Sequence, residues 1–333
     1  MDPATKDQAE GEGAQPRTVT PTPRKVQRLI EARERIMNEP ADRTDFLHTV
    51  MCQVGMPRRM TEARTFERHN GHLSILLEAG RLYNGKTWIE HPLPYGTTPR
   101  LVMVHLSSEA IRTQSRRVEI GDSMRQFLLM LGMGDGGGPR GGYTTVRKQV
   151  EALAACRLSI GMHAEGKVVT VDAKPIKRFE AWLQPEDDQP TLWPGFMELS
   201  PEFYDTLTHH AVPLDYRALA ALKHSALALD IYTWLAHRLC RVSEANGVVL
   251  SWHSLREQFG QEYSDPKDFK REFRDVMRQV LVVYPAARIE EIDGGICLRQ
   301  SPPPISKTTV SFSQPLPKPQ PVDNSGEEES YPR

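Results

Sequence analysis

The sequence predicts an α+β protein in which two helical domains each end in a β-hairpin. Three observations predict this fold: the order helix, helix, hairpin occurs twice, turn dipeptides such as Asn-Gly and Asp-Gly separate the paired runs, and capping residues precede the helices. The composition, 39% hydrophobic and 26% charged, is that of a globular protein. Residues 1–23 and 304–333 are rich in proline and polar residues, so we expect disordered tails there.

Residues 24–96 are predicted to form an N-terminal helix followed by a β-hairpin extension. One side of the helix is apolar and the other carries arginines. The apolar side consists of Val26, Leu29, Ile30 and Ile36. Asn70-Gly71 then separates two runs that can pair, and Asn-Gly is the preferred dipeptide of a two-residue hairpin turn.

Residues 97–183 are predicted to form the first domain. A helix, a short strand at 116–120 and a second helix precede a third helix, for which Thr144 or Thr145 is the expected capping residue. The runs RLSIGMHA and KVVTVDA then predict a hairpin. A helix pair followed by a hairpin is typical of a winged-helix domain.

Residues 184–303 repeat this order as the second domain. Strands and two helices precede the short strand GVVLS and a short helix at 254–259. Asp265-Pro266 then opens a long helix, because the pair places a capping residue before a proline in the first turn. A hairpin with its turn at Asp293-Gly294 closes the segment. We therefore predict two tandem winged-helix domains.

The long helix after Asp265 has the clearest functional pattern. Its cations recur at i, i+4, i+7 and i+11, opposite an apolar stripe. The candidate DNA-binding residues on this helix are Lys267, Lys270, Arg271, Arg274 and Arg278. In a major groove, arginine can read guanine edges and lysine can contact phosphates. The alternative is a solvated face on which Asp268, Glu272 and Asp275 pair with these cations.

The third helix of the first domain has a weaker pattern of the same kind. Its candidate DNA-binding residues are Arg140, Thr144, Thr145, Arg147 and Lys148, with Lys167 in the following hairpin. Short hydroxyl side chains near a helix start can donate to phosphates. From residue 97 to residue 181 we count thirteen Lys and Arg against eight Asp and Glu, so the net charge of −1 conceals a basic segment.

We do not expect an enzyme, a cofactor or a bound metal. A strand-nicking initiator needs paired metal-binding histidines, and the chain has no His-x-His. Gly132, Gly134 and Gly137 form GxGxxG, but they follow a helix rather than a strand, which favours a flexible link. We also expect no P-loop, and therefore no ATP-driven helicase or loader. The four cysteines are far apart in the sequence, which favours reduced, buried thiols.

No run of about 18 apolar residues occurs and the N-terminus is polar, so we expect neither a membrane span nor a secretory signal. The expected location is the cytoplasm.

Five blocks of the sequence resemble one family. They are CQVGMPRR, RTFERHNGHLSILLEAGR, LPYGTTPRLVMVHLSSEAIRTQS, LSPEFYDTLTHHAVPLDYRALAALKHSALALDIYTWLAHRL and FKREFRDVMRQVLVVYPAARIEEIDGGICLRQSPP. They look like the plasmid-encoded RepA replication proteins of Gram-negative bacteria over about residues 40–303.

The resemblance implies a theta-type plasmid replication initiator. Such a protein binds repeated sites (iterons) in double-stranded origin DNA, promotes opening of the duplex and recruits a host initiator and the replicative helicase. Distant relatives dimerise through the first domain, so a homodimer is also implied. The alternative is a winged-helix transcription regulator without a replication role; a metal-dependent nickase is a third class to be tested.

Overall fold

The computed structural model describes residues 23–120, 124–131, 142–164, 167–172, 174–184 and 191–305 of the 333-residue chain. The described helices are α1 (Arg24–Asn38), α2 (Thr49–Gln53), α3 (Thr97–Thr113), α4 (Met124–Met130), α5 (Gly142–Ala155), α6 (Pro201–His210), α7 (Tyr216–Leu222), α8 (Ala226–Arg238), α9 (Trp252–Phe259) and α10 (Pro266–Val283). The described strands are β1 (Thr44–His48), β2 (Thr65–Asn70), β3 (Leu73–Glu78), β4 (Arg81–Tyr83), β5 (Trp88–Glu90), β6 (Arg117–Glu119), β7 (Arg157–Ala164), β8 (Lys167–Asp172), β9 (Ile176–Gln184), β10 (Thr191–Leu199), β11 (Ala211–Asp215), β12 (Val248–Ser251), β13 (Arg288–Ile292) and β14 (Gly295–Arg299).

Helices and antiparallel sheets share one continuous core in the described part of the chain, so the protein has the predicted α+β fold. We call residues 97–172 the α5 region and residues 216–299 the α10 region, after the two helices that carry the candidate site. The division into winged-helix domains, with the boundaries given above, stays a prediction.

The N-terminal segment packs on both regions. Helix α1 contacts α7 and α10 of the α10 region, and β1 contacts α3 of the α5 region. β1 also pairs antiparallel with β11. Leu29 and Ala32 are the buried residues of α1. The predicted apolar side was therefore partly wrong, because Val26 and Ile30 are about two-fifths exposed at the edge of this contact.

The predicted hairpin is confirmed, and it is part of a larger sheet. Its turn residues are Gly71 and His72 rather than Asn70 and Gly71, because Asn70 pairs with Leu73 as the last residue of β2. β2 and β3 pair around the turn, where Gly71 has a φ of +57°, a conformation that glycine adopts without strain. β3 also pairs with β7, which gives the order β2-β3-β7-β8. The hairpin of the α5 region is thus joined to the N-terminal segment by backbone hydrogen bonds.

In the α5 region, the predicted strand at 116–120 forms β6 but does not pair with β7 or β8. It pairs with β10, in the three-stranded order β6-β10-β9. Helix α5 begins at Gly142, so the expectation that Thr144 or Thr145 caps it was wrong. Both threonines lie in the first turn, because the helix starts three or four residues earlier than a cap at Thr144 or Thr145 would place it.

The α10 region has a sheet of its own, in the order β12-β14-β13, beside α8, α9 and α10. The Asp265 side chain accepts a hydrogen bond from Lys267 N at 2.7 Å and caps α10 as predicted. Gly295 is needed in β14, since a Cβ there would lie 2.0 Å from the Leu250 carbonyl oxygen. Helix α9 begins at Trp252, before the predicted residue 254, because Ser251 caps it.

A buried ion pair connects the two regions. Arg100 of α3 donates to both carboxylate oxygens of Asp230 in α8, at 2.6 and 2.8 Å. Both side chains are only 7% exposed. Arg100 also donates to backbone carbonyls of Met56 and Pro57, so the guanidinium holds α3, α8 and the N-terminal segment together.

Candidate nucleic-acid interface

Helix α10 presents its cations on the face opposite to its core contacts. Phe269, Phe273, Val276, Met277, Val280 and Val283 are its buried residues. Lys267, Arg271 and Arg278 are exposed, while Lys270 and Arg274 are half-buried. The structure thus brings the predicted cations of α10 onto one accessible side.

Two of these arginines have a carboxylate three residues earlier on the same helix. Arg271 Nη2 lies 2.7 Å from Asp268 Oδ1, and Arg278 pairs with Asp275. Both arginine side chains are 74% exposed. Exposed pairs of this kind contribute about 0 to 1 kcal/mol, so a DNA phosphate can replace the carboxylate at small cost. Ion pairing within a solvated face, the alternative interpretation, is therefore present, and it leaves the arginines accessible.

Arg274 is held more firmly than the other candidate DNA-binding residues of α10. It makes a two-pronged contact with Glu291 of β13, with Arg274 Nε 3.0 Å from Glu291 Oε2. The hydrogen bonds from Arg274 lower the pKa of Glu291. The guanidinium also lies over the Trp252 ring, with 5.2 Å between its carbon and the ring centroid. Arg274 must leave Glu291 before it can contact a base edge with both prongs.

The two lysines of α10 also differ in whether they contact other side chains. Lys270 Nζ lies 4.8 Å from the centroid of the Trp252 ring. Lys267 is exposed, and its side chain has no described protein partner. Trp252 was missed in the sequence, although its place directly after a capping serine could have indicated a side chain at the start of α9.

The β13–β14 hairpin adds charges that the sequence-based site did not include. Arg299 donates to both oxygens of Glu290 at 2.8 Å. Arg288, the first residue of β13, is exposed, and no side-chain partner for it is described. This hairpin therefore carries acidic and basic residues in pairs, with one further cation at its base.

In the α5 region, fewer of the predicted residues are charged. Thr144, Thr145 and Lys148 are exposed on α5, and Lys167 is exposed at the start of β8. Arg147 is half-buried and reaches Glu151, with 4.0 Å between Arg147 Nε and Glu151 Oε1. Arg140, the Gly132, Gly134 and Gly137 link and both predicted tails beyond residues 23 and 305 lie outside the described residues.

The buried side of helix α5 is hydrogen-bonded to the segment that precedes α3. Tyr95 N donates to the buried Gln149 side chain at 2.7 Å. Glu151 is mostly buried, and burial raises the pKa of its carboxyl against the opposing charges of Arg147 and Lys148. The predicted DNA-binding residues on the exposed face of α5 are thus Thr144, Thr145 and Lys148.

One nucleotide-binding motif contradicts the expectation that no P-loop pattern occurs. Residues 80–87 are GRLYNGKT, which fits GxxxxGK[ST]. A P-loop runs from a strand into a helix and directs free amides at phosphates, whereas this segment runs from β4 through a turn into β5. The amides of Lys86 and Thr87 already donate to Asn84 Oδ1, at 3.0 and 2.8 Å. The motif is therefore present in the sequence without the P-loop conformation.

Among the residues that the structure describes, no group of three or more His, Cys, Asp or Glu side chains is placed to hold a metal ion. Cys52, Cys156 and Cys297 are buried free thiols, as expected, while Cys240 is half-buried. In the same part of the chain, no helix is long and apolar enough to cross a membrane.

Comparison with protein families gives one match. The family model described as "Plasmid encoded RepA protein" matches residues 93–254. The matched segment is therefore similar to plasmid-encoded RepA proteins. This RepA segment begins before α3 and ends within α9, so it includes the first candidate helix, α5, and stops before the second, α10.

The crystal structure of domains 2 and 3 of RctB is similar to this chain, with a TM-score of 0.44 and 11% sequence identity. The similarity covers 74% of this chain and 94% of that one. No curated protein matches the sequence.

Proposed function

We propose that the protein initiates plasmid replication by binding repeated sites in double-stranded origin DNA. The observation that carries this proposal is the cation stripe of α10, opposite the packing face and next to a hairpin. The family of residues 93–254 supports the plasmid context. Binding of the repeats then promotes opening of the duplex in the cytoplasm and recruits a host initiator and the replicative helicase.

We further propose that the α5 and α10 regions act as two winged-helix domains on one repeat. The sheet order β12-β14-β13 around α8, α9 and α10 supports this for the α10 region. In the α5 region, α3, α4 and α5 precede the β7–β8 hairpin in the same sequence order. Two helices in successive major grooves should protect about two helical turns of DNA from cleavage, whereas protection of a single turn would contradict binding by both regions.

The test of the DNA-binding site is alanine at both Arg271 and Arg274. The probe is a labelled duplex that carries one repeat of about 20 base pairs from the DNA beside the gene. Loss of an arginine that reads guanine should cost about 1 to 3 kcal/mol, so the double variant should lose specific binding. Thermal unfolding should stay close to that of the wild type, because both side chains lie outside the core.

The matched control for this test is Arg112→Ala. Arg112 is another exposed helical arginine that pairs with a carboxylate three residues earlier, Glu109. It should leave repeat binding unchanged. Unaltered affinity and salt dependence in the Arg271→Ala/Arg274→Ala variant would mean that the stripe is a solvated face without a DNA contact. Lys267→Gln should instead weaken binding to all sequences alike, because lysine contacts phosphate as a point charge.

We also propose that the protein acts without chemistry of its own. The absence of His-x-His from the sequence and the hairpin conformation of residues 80–87 support this proposal. The purified protein should neither nick supercoiled origin DNA with magnesium or manganese nor hydrolyse ATP. A covalent adduct between a tyrosine and DNA would contradict it.

A homodimer is supported by the edge strand β8. Only β7 is described as its partner, and Val168 and Val169 are 75% and 47% exposed. An exposed apolar edge is a template for pairing with a second chain. Sedimentation should show a concentration-dependent dimer that Val168→Lys weakens; a monomer at all concentrations would contradict the proposal.

A transcription regulator remains the alternative function. Such a regulator more often binds an inverted repeat as a symmetric dimer, whereas two unequal domains suit direct repeats. The orientation of the protected repeats therefore distinguishes the two functions.

A further inference from the structure

The β4–β5 hairpin carries an aromatic pair that the DNA-binding site described above does not use. Tyr83 and Trp88 are cross-strand partners, so both rings lie on the same face of the hairpin. Their centroids are 5.6 Å apart, and the side chains are 53% and 66% exposed. Large aromatic side chains this exposed, side by side, are costly to leave in water unless they contact a ligand.

The hairpin holds these rings in a fixed position. Tyr83 Oη donates to the Gly85 carbonyl at 2.9 Å, and the Asn84 side chain closes the turn. At the base, Arg64 donates to the carbonyls of Ala79 and His91, at 3.0 and 2.8 Å. The rings are therefore presented by a supported element.

The base of the hairpin is also fastened to α5. A Cβ at Gly80 would lie 2.0 Å from the Ala155 carbonyl oxygen, so the chain passes directly against the last residue of α5. The predicted DNA-contacting residues Thr144 and Thr145 are near the other end of this helix, about 16 Å along its axis. The aromatic face is thus a separate surface from the predicted duplex contact of α5.

Cations border the aromatic pair on both sides. Lys86 is exposed in the turn, and no side-chain partner for it is described. At the opposite end, Arg81 pairs with Glu90, which also lies 3.9 Å from Arg64. The hairpin and Arg64 together carry three cations against one carboxylate, so the face around the two rings is positively charged.

We propose that this face binds the unpaired bases of a single-stranded polynucleotide. Tyr83 and Trp88 stack on successive bases, while Lys86 and Arg81 contact the phosphates on either side. Every base has a π-face, so stacking of this kind tolerates any sequence. The inference rests on the proposed function, because opening of the origin supplies the unpaired strand. It gives the protein a second nucleic-acid contact that holds the separated strand rather than the duplex.

The test uses the full-length protein and a labelled oligodeoxythymidylate of about 20 nucleotides. Tyr83→Ala/Trp88→Ala should lose affinity for this strand by on the order of tenfold for each ring. Tyr83→Phe/Trp88→Phe keeps both rings and should retain most of the affinity. Val249→Ala is the matched control, since Val249 is also an exposed apolar strand residue, at 62%, but lies in β12.

Two further probes separate base stacking from charge and DNA from RNA. An abasic strand of the same length should have a low affinity for the wild type. This affinity should equal that of oligodeoxythymidylate for the Tyr83→Ala/Trp88→Ala variant. Equal binding of the abasic strand and oligodeoxythymidylate would overturn the proposal, because attraction to phosphate alone would then explain the affinity. Oligouridylate tests whether an RNA strand competes; competition keeps the stacking site and extends its ligand to RNA.

The duplex probe distinguishes this inference from the proposed function. The alanine variant should bind the double-stranded repeat like the wild type, while Arg271→Ala/Arg274→Ala should lose the duplex and keep the single strand. Failure of wild type to bind the repeat would count against the proposed function alone. Wild type that binds the repeat but not the single strand would overturn the inference, and loss of origin activity in the alanine variant would then assign the face to a protein partner.

Discussion

The two candidate recognition helices differ in how their cations are held. On α10, Arg271, Arg274 and Arg278 each have a carboxylate partner. On α5, Lys148 is exposed without a described side-chain partner, and only Arg147 reaches a carboxylate. The helix with more cations therefore begins DNA binding from an ion-paired state, in which each arginine exchanges one negative partner for another. Its net electrostatic gain is smaller than a count of cations predicts.

The two regions also differ in how much of their structure is their own. The sheet of the α10 region consists of β12, β13 and β14, all from that region. In the α5 region, β6 joins β9 and β10, and β7 joins β3 of the N-terminal segment. The position of α5 therefore depends on strands far away in the sequence, whereas α10 depends on its neighbours. A change in the N-terminal segment should move α5 more readily than α10.

The largest effect should follow from breaking the buried pair that joins the two regions. Asp230→Ala leaves Arg100 without its carboxylate, which should destabilise the protein by about 3 to 5 kcal/mol. Urea unfolding followed by circular dichroism and by tryptophan fluorescence should give one common transition. Arg100→Met/Asp230→Leu removes both charges and should recover part of the loss, because the carbonyls of Met56 and Pro57 then lack their donor. Two separate transitions in the wild type would show that the regions unfold independently, contrary to a shared core.

A smaller effect should come from His48, at the contact between the N-terminal segment and β11. Burial lowers the pKa of His48 to about 4, and its Nδ1 accepts a hydrogen bond from Val50 N at 3.1 Å. The unfolded chain, with an ordinary histidine pKa near 6.5, binds more protons between these values, so stability falls as the pH decreases from about 6.5 to 4.

His48→Asn keeps an acceptor for Val50 N without this titration. Between pH 7 and pH 5, the free energy of unfolding should therefore fall by about 2 kcal/mol less in this variant than in the wild type. His105 and His237 also have pKa values lowered to about 4 by burial, so a smaller pH dependence should persist. An unchanged slope in urea titrations at the two pH values would mean that His48 does not titrate below its ordinary range.

Next in size is the release of Arg274 from Glu291. Glu291→Gln should strengthen repeat binding by a few-fold, because Arg274 then loses its charged partner in the free protein. Glu290→Gln removes the same charge from the same hairpin but frees Arg299 instead. The difference in duplex affinity between the two variants measures the exchange at Arg274. Equal affinities would show that only the overall charge of the hairpin matters.

The smallest effect distinguishes the phosphate contacts of the two helices. Lys148→Gln on α5 and Lys267→Gln on α10 should each lower the slope of log affinity against log salt by about one. Neither should alter the thermal unfolding temperature, since both side chains are exposed. A slope that changes only for Lys267 would restrict the duplex contact to the α10 region.

Local sequence signals predicted much of the fold. The capping pair Asp265-Pro266 and the apolar spacing located α10, and Asn70-Gly71 located the β2–β3 turn to within one residue. The missed elements were β1, α2, β4, β5, α6 and β11. Of these, α6 could have been found, because Ser200-Pro201 is the same kind of start signal as Asp265-Pro266. β1 and β11 are short and depend on each other, so neither has a local pattern of its own.

The candidate site was predicted less completely, because helical periodicity gives a face but not its partners. It placed Arg274 correctly on the face opposite the core, but Glu291 and Trp252 come from other elements. No spacing rule within α10 could indicate that contact. The same limit explains residues 80–87, where a sequence pattern for phosphate binding adopts a hairpin because the following residues continue as β5.

The packing of α1 has a consequence for synthesis on the ribosome. Arg33 of α1 donates to the Val282 carbonyl of α10, a residue 249 positions further along the chain. At typical rates of translation, α1 leaves the ribosome roughly 12 to 50 s before that partner is made. During this interval only α7, the other helix that contacts α1, can cover the Leu29 side, and a nascent chain that stops short of α10 leaves the rest of that side facing water or a chaperone. Among the described helices, α1 is translated first and is therefore among the last to complete its native contacts.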